Sequence, residues 1–556
     1  MHTPTEYEAW YRQVATLGNE AEDDLSGTAA TARTIAMDVE ASSLTDEQKS
    51  ALLFMCSSVI INCGSELGES ALLSAGKEVA RQAESRTTPD QPLHYQCRYN
   101  VANAICGLCD LGLPRADRRE VWEPQLIQNR IERRDELQEA RRTFFEVGSS
   151  TIADPRTRSA AYCNLGNMLD HSGRWAEAYD FYLRALEADP RNGNAAGNLA
   201  QLLRTRIDTG IGQTGHIAAV YDKYVALAQD LLEGTLEFAS ARVAERWDQL
   251  EPTDSAGHLS HGLEDLDAIN GEYRRWVAHH RLALSPAVEG LGTEDIRWDS
   301  AAIEVLYGAS PEEMNPPILG AMNVLKSDFL VSRRLAFEGV AQVIAGPQQA
   351  DEDSGSYVET LDYSLYGIQY SKLLLAQRSA LDVLDKTAVV ANEHFGVGDV
   401  PSKVAFRKFW KTKTGELRGT LVKAPGRALP NLALAELAMD MDKTGMYAAS
   451  QALRNAGTHR MVHAAVASAT GVTQDSRSRI DLPELLDSAT LALQVTRSAF
   501  LYLIDLFTMW NHPEDHKGAY LPFPGLRRYF NDSTADGANV DEGVPQSGGG
   551  PGNSFP

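Results

Sequence analysis

The stretch from Arg454 to His459 reads R-N-A-G-T-H within QALRNAGTHRMVHAAVA. An arginine is a permanent planar cation whose fork fits phosphate oxygens, and a histidine titrates near neutrality, so it can take or give the proton of a ribose hydroxyl. Asn455, between them, can orient either partner. Together the three are able to act on a phosphodiester. The spacing alone is cheap, because Arg274 to His279 and Arg275 to His280, inside YRRWVAHHRLAL, repeat it. Only Arg454 is followed by Asn, and only it lies among helical segments rather than in a Trp-centred patch running into Ser285-Pro286. On a regular helix a five-residue offset turns two side chains about 140° apart, whereas Asn455, His459 and His463 would share one face. Arg454 and His459 therefore converge only if the helix starts or bends near Gly457, or if two subunits contribute groups to one site.

A second chemical feature breaks the acidic trend of the chain. From Pro401 to Pro430, Lys403, Arg407, Lys408, Lys411, Lys413, Arg418, Lys423 and Arg427 face a single acid, Glu416, with Phe406, Phe409 and Trp410 interleaved. Basic side chains neutralise phosphates and aromatic rings stack on unpaired bases, so Lys403, Arg407, Lys408, Trp410, Lys411 and Lys413 are candidate contacts for single-stranded RNA. The alternative is that the three aromatics dock the segment on its own domain and the lysines are solvated. Asp382 and Asp385 are candidates to tie down Arg454 from a neighbouring helix, and His463 to assist His459.

These residues must be positioned by helices. MNVLKSDFLVSRRLAFEGV, the run from Tyr363 to Gly396, NLALAELAMDMD, the motif segment and LPELLDSATLALQVTRSAFLYLIDLFTMW carry apolar residues at three- and four-residue spacing, enough for a bundle of four or more helices. Residues 241–324 form a looser connector punctuated by Pro252, Pro286 and Pro316-Pro317. Further upstream, Tyr162, Leu165, Gly166, Leu169, Ala178, Tyr182, Ala185 and Pro190 fall where a tetratricopeptide repeat wants its large, small and terminating residues. Asn100-Val101-Ala102-Asn103 echoes Asn164-Leu165-Gly166-Asn167, and Leu199-Ala200 follows one period later. One such hairpin cannot bury its apolar face alone, so degenerate repeats are expected to stack through residues 1–240. Thr45-Asp46 is a candidate helix cap.

The motif within a helical C-terminal half resembles the HEPN domains, whose signature is arginine, a polar residue, a few variable residues and histidine. The resemblance covers roughly residues 325–512, and repeats followed by such a domain resemble one arrangement within that superfamily. It implies an all-α protein, a tetratricopeptide solenoid followed by a HEPN-like bundle. It also implies metal-independent RNA cleavage leaving a 2',3'-cyclic phosphate, with His459 moving the proton, Arg454 stabilising phosphate charge and Asn455 orienting the pair. Such nucleases commonly assemble across a homodimer and need no cofactor, and bacterial members resemble toxins and defence factors. Other HEPN domains are inactive, which keeps open an adaptor that dimerises while its repeats recruit a protein or peptide.

The composition is that of a globular chain. Its 556 residues, 43% of them hydrophobic, suffice for several cores, and a formal charge of −24 argues against a general nucleic-acid coat protein, so any RNA contact must be local. All six cysteines lie in the first third, and Cys106-x-x-Cys109 stands alone in an apolar run, which suits buried thiols better than a metal site. His258, His261, His279 and His280 lack an acidic or cysteine partner at helical spacing, so no metal is assigned. With no signal peptide and no apolar run read as long enough to span a bilayer, the expected location is the cytoplasm. The stretch 513–556, rich in Gly, Ser, Asp and Pro towards its end, is expected to be mostly disordered.

Overall fold

The computed structural model describes residues 5–522 apart from 21–23, 112, 114–118, 210–213, 254–268, 270, 287–288, 290–297, 304, 308–316, 347–354, 362, 423–426, 460, 467–477 and 512–519. His258, His261 and Lys423 lie outside the described residues, as does the side chain of His459. Of the tail expected to be mostly disordered, 513–519 and 523–556 lie outside them, whereas Tyr520–Pro522 forms a strand, because its backbone pairs with Val305–Tyr307. The fold is all-α, with short strands confined, among the described residues, to the C-terminal half.

The first helices are α1 (Glu6–Glu20), α2 (Leu25–Ala41), α3 (Asp46–Leu67), α4 (Ser70–Glu84), α5 (Pro92–Asp110), α6 (Arg119–Glu132) and α7 (Arg134–Ser149). Thr45 caps α3 through a reciprocal box with Gln48, Gln48 N–H donating to Thr45 Oγ1 at 3.3 Å and Thr45 N–H to Gln48 Oε1 at 3.2 Å. There follow α8 (Pro155–Asp170), α9 (Trp175–Ala188), α10 (Gly193–Thr209), α11 (Thr214–Asp230), α12 (Leu232–Phe238) and α13 (Ala241–Asp248). From α2 to α5, and from α7 to α9, each helix packs on the next, and α5 also packs on α7.

The repeat geometry follows from small residues placed under rings. A Cβ on Gly166 would lie 2.5 Å from the Tyr182 ring, and one on Gly148 2.5 Å from that of Tyr162, so at both crossings only glycine admits the aromatic. The period is also visible in hydrogen bonds. Asn164 Nδ2 donates to Asn103 Oδ1 at 2.8 Å, and one repeat later Asn198 Nδ2 donates to Asn167 Oδ1 at 2.9 Å. The sequence echo thus marks α5, α8 and α10 as equivalent first helices of stacked hairpins.

The C-terminal half contains α14 (Glu272–His279), β1 (Val305–Tyr307), α15 (Pro317–Ala345), β2 (Ser364–Leu365), α16 (Ile368–His394), α17 (Phe406–Phe409), α18 (Leu429–Asp440), α19 (Ala448–His459), β3 (Val462–Ala465), β4 (Ser478–Asp481), α20 (Leu482–Trp510) and β5 (Tyr520–Pro522). Pro317, read from sequence as punctuation, opens α15, where a missing N–H costs nothing. The long pair α15 and α16 closes tightly where Gly339 faces Leu373, and α20 packs against α15, α16 and α18. β1 pairs antiparallel with β5, while β2, β3 and β4 form a small mixed sheet over Leu373, Ile480 and Leu485.

Two expectations are corrected here. The run from Tyr363 to Gly396 is not helical throughout: Ser364–Leu365 pairs with β3, and α16 starts only after Gly367, whose φ of 142° suits glycine. Among the described residues two helices, α3 and α20, are long and apolar enough to cross a membrane by length and composition, contrary to the reading that none is. The most apolar window of α20 is 89% buried inside the protein, because neighbouring helices cover it on all sides.

Candidate functional site

Arg454 lies on α19, which packs on α16. Its Nη2 donates to Asp382 Oδ1 at 2.5 Å and to Asp385 Oδ2 at 2.8 Å, two carboxylates one turn apart on α16. Burial opposes the cation, but Asp385 and Asp382 outweigh it and hold the pKa above the ordinary arginine value. Asn455 is exposed and accepts from Gln451 Nε2 at 3.1 Å. Gln377 on α16 donates to the Ser450 carbonyl at 2.7 Å, which fixes the start of α19 in register.

Helix α19 is continuous from Ala448 through Gly457 to its last residue, His459. No start or break intervenes between Arg454 and His459, so within one chain their Cα–Cβ directions diverge by about 140°. His463 does not continue the face of Asn455 and His459. It sits in β3, in register with Arg479 of β4, with its Nδ1 3.5 Å from Tyr366 Oη. The β-branched and small residues of VHAA pair with β4 and bury Ala464 and Ala465, which ends the helix where periodicity alone would extend it.

The basic segment is tied to the same place. Asp385 Oδ1 accepts the Phe406 N–H at 2.8 Å while Oδ2 holds Arg454, so one carboxylate links α17 to the motif helix. Trp410 is fully buried and packs edge-on against Phe409 at 5.0 Å and Phe406 at 5.7 Å between ring centres. It cannot stack on a base, and the same holds for Phe406 and Phe409, each 1% exposed; the reading of Trp410 as an RNA contact is corrected. The aromatics anchor the loop because that removes three large apolar surfaces from water. Lys403, Lys408 and Lys413 are exposed. Arg407 is half-buried and pairs with Asp442 at 3.3 Å, and burial lowers the pKa of the half-buried Lys411.

The LA2681-like HEPN profile matches residues 309–509, and the tetratricopeptide repeat profile matches residues 159–192. Over residues 309–509 the C-terminal unit thus matches a LA2681-like HEPN domain. The matched repeat is the α8–α9 hairpin. No curated protein matches the chain. A HEPN domain points to RNA-related or nuclease function, and a tetratricopeptide repeat to a protein-interaction scaffold.

The repeats and the HEPN domain share a buried ionic seam that sequence reading missed. Arg141 on α7 grips Asp440 with Nε at 2.8 Å and Nη2 at 3.0 Å, and Glu436 with Nη1 at 3.0 Å. Arg174, at the turn before α9, binds Asp440 and also Glu177 at 2.7 Å, while Tyr447 donates to Glu177 at 2.6 Å. Farther along, Asp180 of α9 accepts from Arg497 of α20 at 2.8 Å, and Arg206 of α10 binds Asp505 at 2.8 Å. A signal was present: α18 is apolar on every side yet carries Glu436 and Asp440 four residues apart, and a fully buried helix with two acids on one face requires cations opposite.

Proposed function

We propose that this protein is a metal-independent endoribonuclease whose site is assembled by two copies of the HEPN domain. The observation that carries the reading is the fixed motif helix. Arg454 is held by Asp382 and Asp385 beside exposed Asn455, and His459 ends the same helix inside the family-matched segment. Since Arg454 and His459 diverge on one helix, a productive pair takes its groups from two chains. Exposed apolar side chains suit that assembly: Val358 is 85%, Leu361 87%, Tyr363 73%, Met461 71% and Val466 61% exposed, Val466 N–H bonds the Tyr363 carbonyl, and Met461 stands two residues beyond the end of α19.

In the reaction, His459 takes the proton of a ribose 2'-hydroxyl, and the freed oxygen bonds to the adjacent phosphorus. The bond from phosphorus to the 5'-oxygen breaks, and the second copy's His459 supplies that oxygen with a proton. Arg454 neutralises charge developing on the phosphoryl oxygens, and Asn455 orients the histidine. The products are a 2',3'-cyclic phosphate and a 5'-hydroxyl. Exposed Lys403, Lys408 and Lys413, with Arg407 and Lys411 behind them, guide the RNA strand on the segment that Asp385 ties to the motif. The repeats act as the sensor or protein-binding scaffold of a cytoplasmic effector, in bacterial defence or a toxin-like stress response.

A second reading, an inactive HEPN adaptor that serves for dimerisation, is favoured by one observation: the Arg454 guanidinium is already engaged by two carboxylates. Cleavage of mixed cellular RNA in EDTA, with end-group analysis, separates the two. The nuclease yields cyclic-phosphate ends that are lost in His459→Ala and Arg454→Ala. Absence of cutting by a folded dimer, together with equal growth of cells expressing wild type and His459→Ala, refutes the nuclease.

A further inference from the structure

Between α5, α6, α7 and α8 lies a pocket of about 200 Å³ that the cleavage reaction does not use. At its buried end stands Arg130, only 3% exposed, whose Nη1 has no hydrogen-bond acceptor among the described residues; Glu436 Oε1 is 3.8 Å away. A buried guanidinium short of acceptors carries a desolvation cost that an anionic ligand group removes.

The neighbouring amides add donors to that end. Asn167 Oδ1 accepts from both Tyr182 and Asn198, so the remaining capacity of Asn167 is in its NH2 group, while Asn103 Oδ1 accepts from Asn164 and its NH2 group lies beside the Tyr99 hydroxyl. Asp110, exposed at the mouth, offers the opposite charge. Buried Phe144 and Met168 supply an apolar wall. The arrangement is amphoteric: donors deep, a carboxylate at the rim, hydrocarbon alongside.

We propose that this pocket binds a free α-amino acid with an apolar side chain, its carboxylate on Arg130, Asn103 and Asn167 and its ammonium towards Asp110. The ligand reports to the HEPN domain through α18. Glu436 approaches the same Arg130 and also binds Arg141 of the seam, so a carboxylate that engages Arg130 competes with Glu436 for it. Binding is independent of the nuclease reading, and its test uses no cleavage assay.

The test is calorimetric titration of the full chain with L-leucine, with acetate and inorganic phosphate as probes that carry only the anionic half. Saturable leucine binding is expected, at least about tenfold tighter than either control, since each control lacks the ammonium and the apolar contact. Asp110→Asn, at an exposed position, is expected to weaken leucine binding about tenfold with an unchanged melting temperature. Arg130→Gln is expected to abolish it; should that variant unfold, Asn103→Asp, which sets a carboxylate against the ligand's own, takes its place. Hydrogen exchange in residues 429–440 is expected to change on leucine addition. Absence of binding by leucine and by the other apolar amino acids overturns the proposal, as does phosphate binding equal to that of leucine, or a leucine affinity indifferent to Asp110→Asn.

Discussion

Replacing Asp440 by alanine tests whether the repeats and the HEPN domain are held together by a buried ionic seam. The Asp440 side chain is fully buried and accepts from Arg141 Nε and Nη2, at 2.8 and 3.0 Å, and from Arg174 Nη1. Alanine leaves Arg141 with Glu436 and Arg174 with Glu177, each cation short of acceptors in a site closed to water. Removing one partner of a buried ion pair costs about 3–5 kcal/mol, because the remaining charge keeps its desolvation penalty. That is a loss of roughly two to three and a half decades in the folding equilibrium. A nearby control is Asp442→Ala: Asp442 pairs with Arg407 at 3.3 Å, both side chains more than a third exposed, and its removal is expected to cost at most about 1 kcal/mol. Urea unfolding followed by near-ultraviolet circular dichroism measures both variants against wild type. An Asp440→Ala midpoint no lower than that of Asp442→Ala would refute the assignment of the seam as the main polar tie between the two halves.

Three further outcomes are expected. Gly166→Ala places a Cβ 2.5 Å from the Tyr182 ring, so overpacking costs about 1–3 kcal/mol, read as a lower urea midpoint. Trp410→Ala costs about 3–5 kcal/mol of stability, whereas Lys403→Glu with Lys408→Glu leaves the midpoint within about 0.5 kcal/mol and weakens RNA retention on a filter; the reverse pattern would place Trp410 at the RNA. Burial among Phe395 and Phe507 holds His394 neutral, with its pKa lowered from 6.5 to about 4. Between those values the unfolded chain binds the extra proton, so stability falls as pH drops from about 6.5 towards 4 and is unaffected by this group above that window. His394→Leu is expected to flatten that part of the pH–stability profile, and an unchanged slope would assign acid sensitivity elsewhere.

Much of the fold was legible because it rests on local periodicity. The glycine and tyrosine positions of the α8–α9 hairpin, the Thr45 cap and the whole of α20 follow from rules acting within a few residues. The strands around His463 were not legible. VHAAVA is short and apolar, and a run of that length is compatible with helix or strand until a partner is present; β4, across undescribed residues 467–477, is that partner. The basic segment was legible as a cluster of charge and rings, but not in its orientation. Which side of Trp410 meets water depends on what packs over it, and Phe406, Phe409 and the docking of Asp385 settle that.

The sequence by itself determined the helical class, the repeat hairpin, the HEPN signature and the residue types available for phosphodiester chemistry, since each resides in contiguous stretches. Only the tertiary structure decided that Asp382 and Asp385 hold Arg454, that α19 runs straight through Gly457 and so separates Arg454 from His459, and that α18 is pinned by arginines from the repeats. The physical reason is distance along the chain. Arg454 and Asp382 are 72 residues apart, and Arg141 and Asp440 are 299 apart, so neither partnership leaves a local periodic trace.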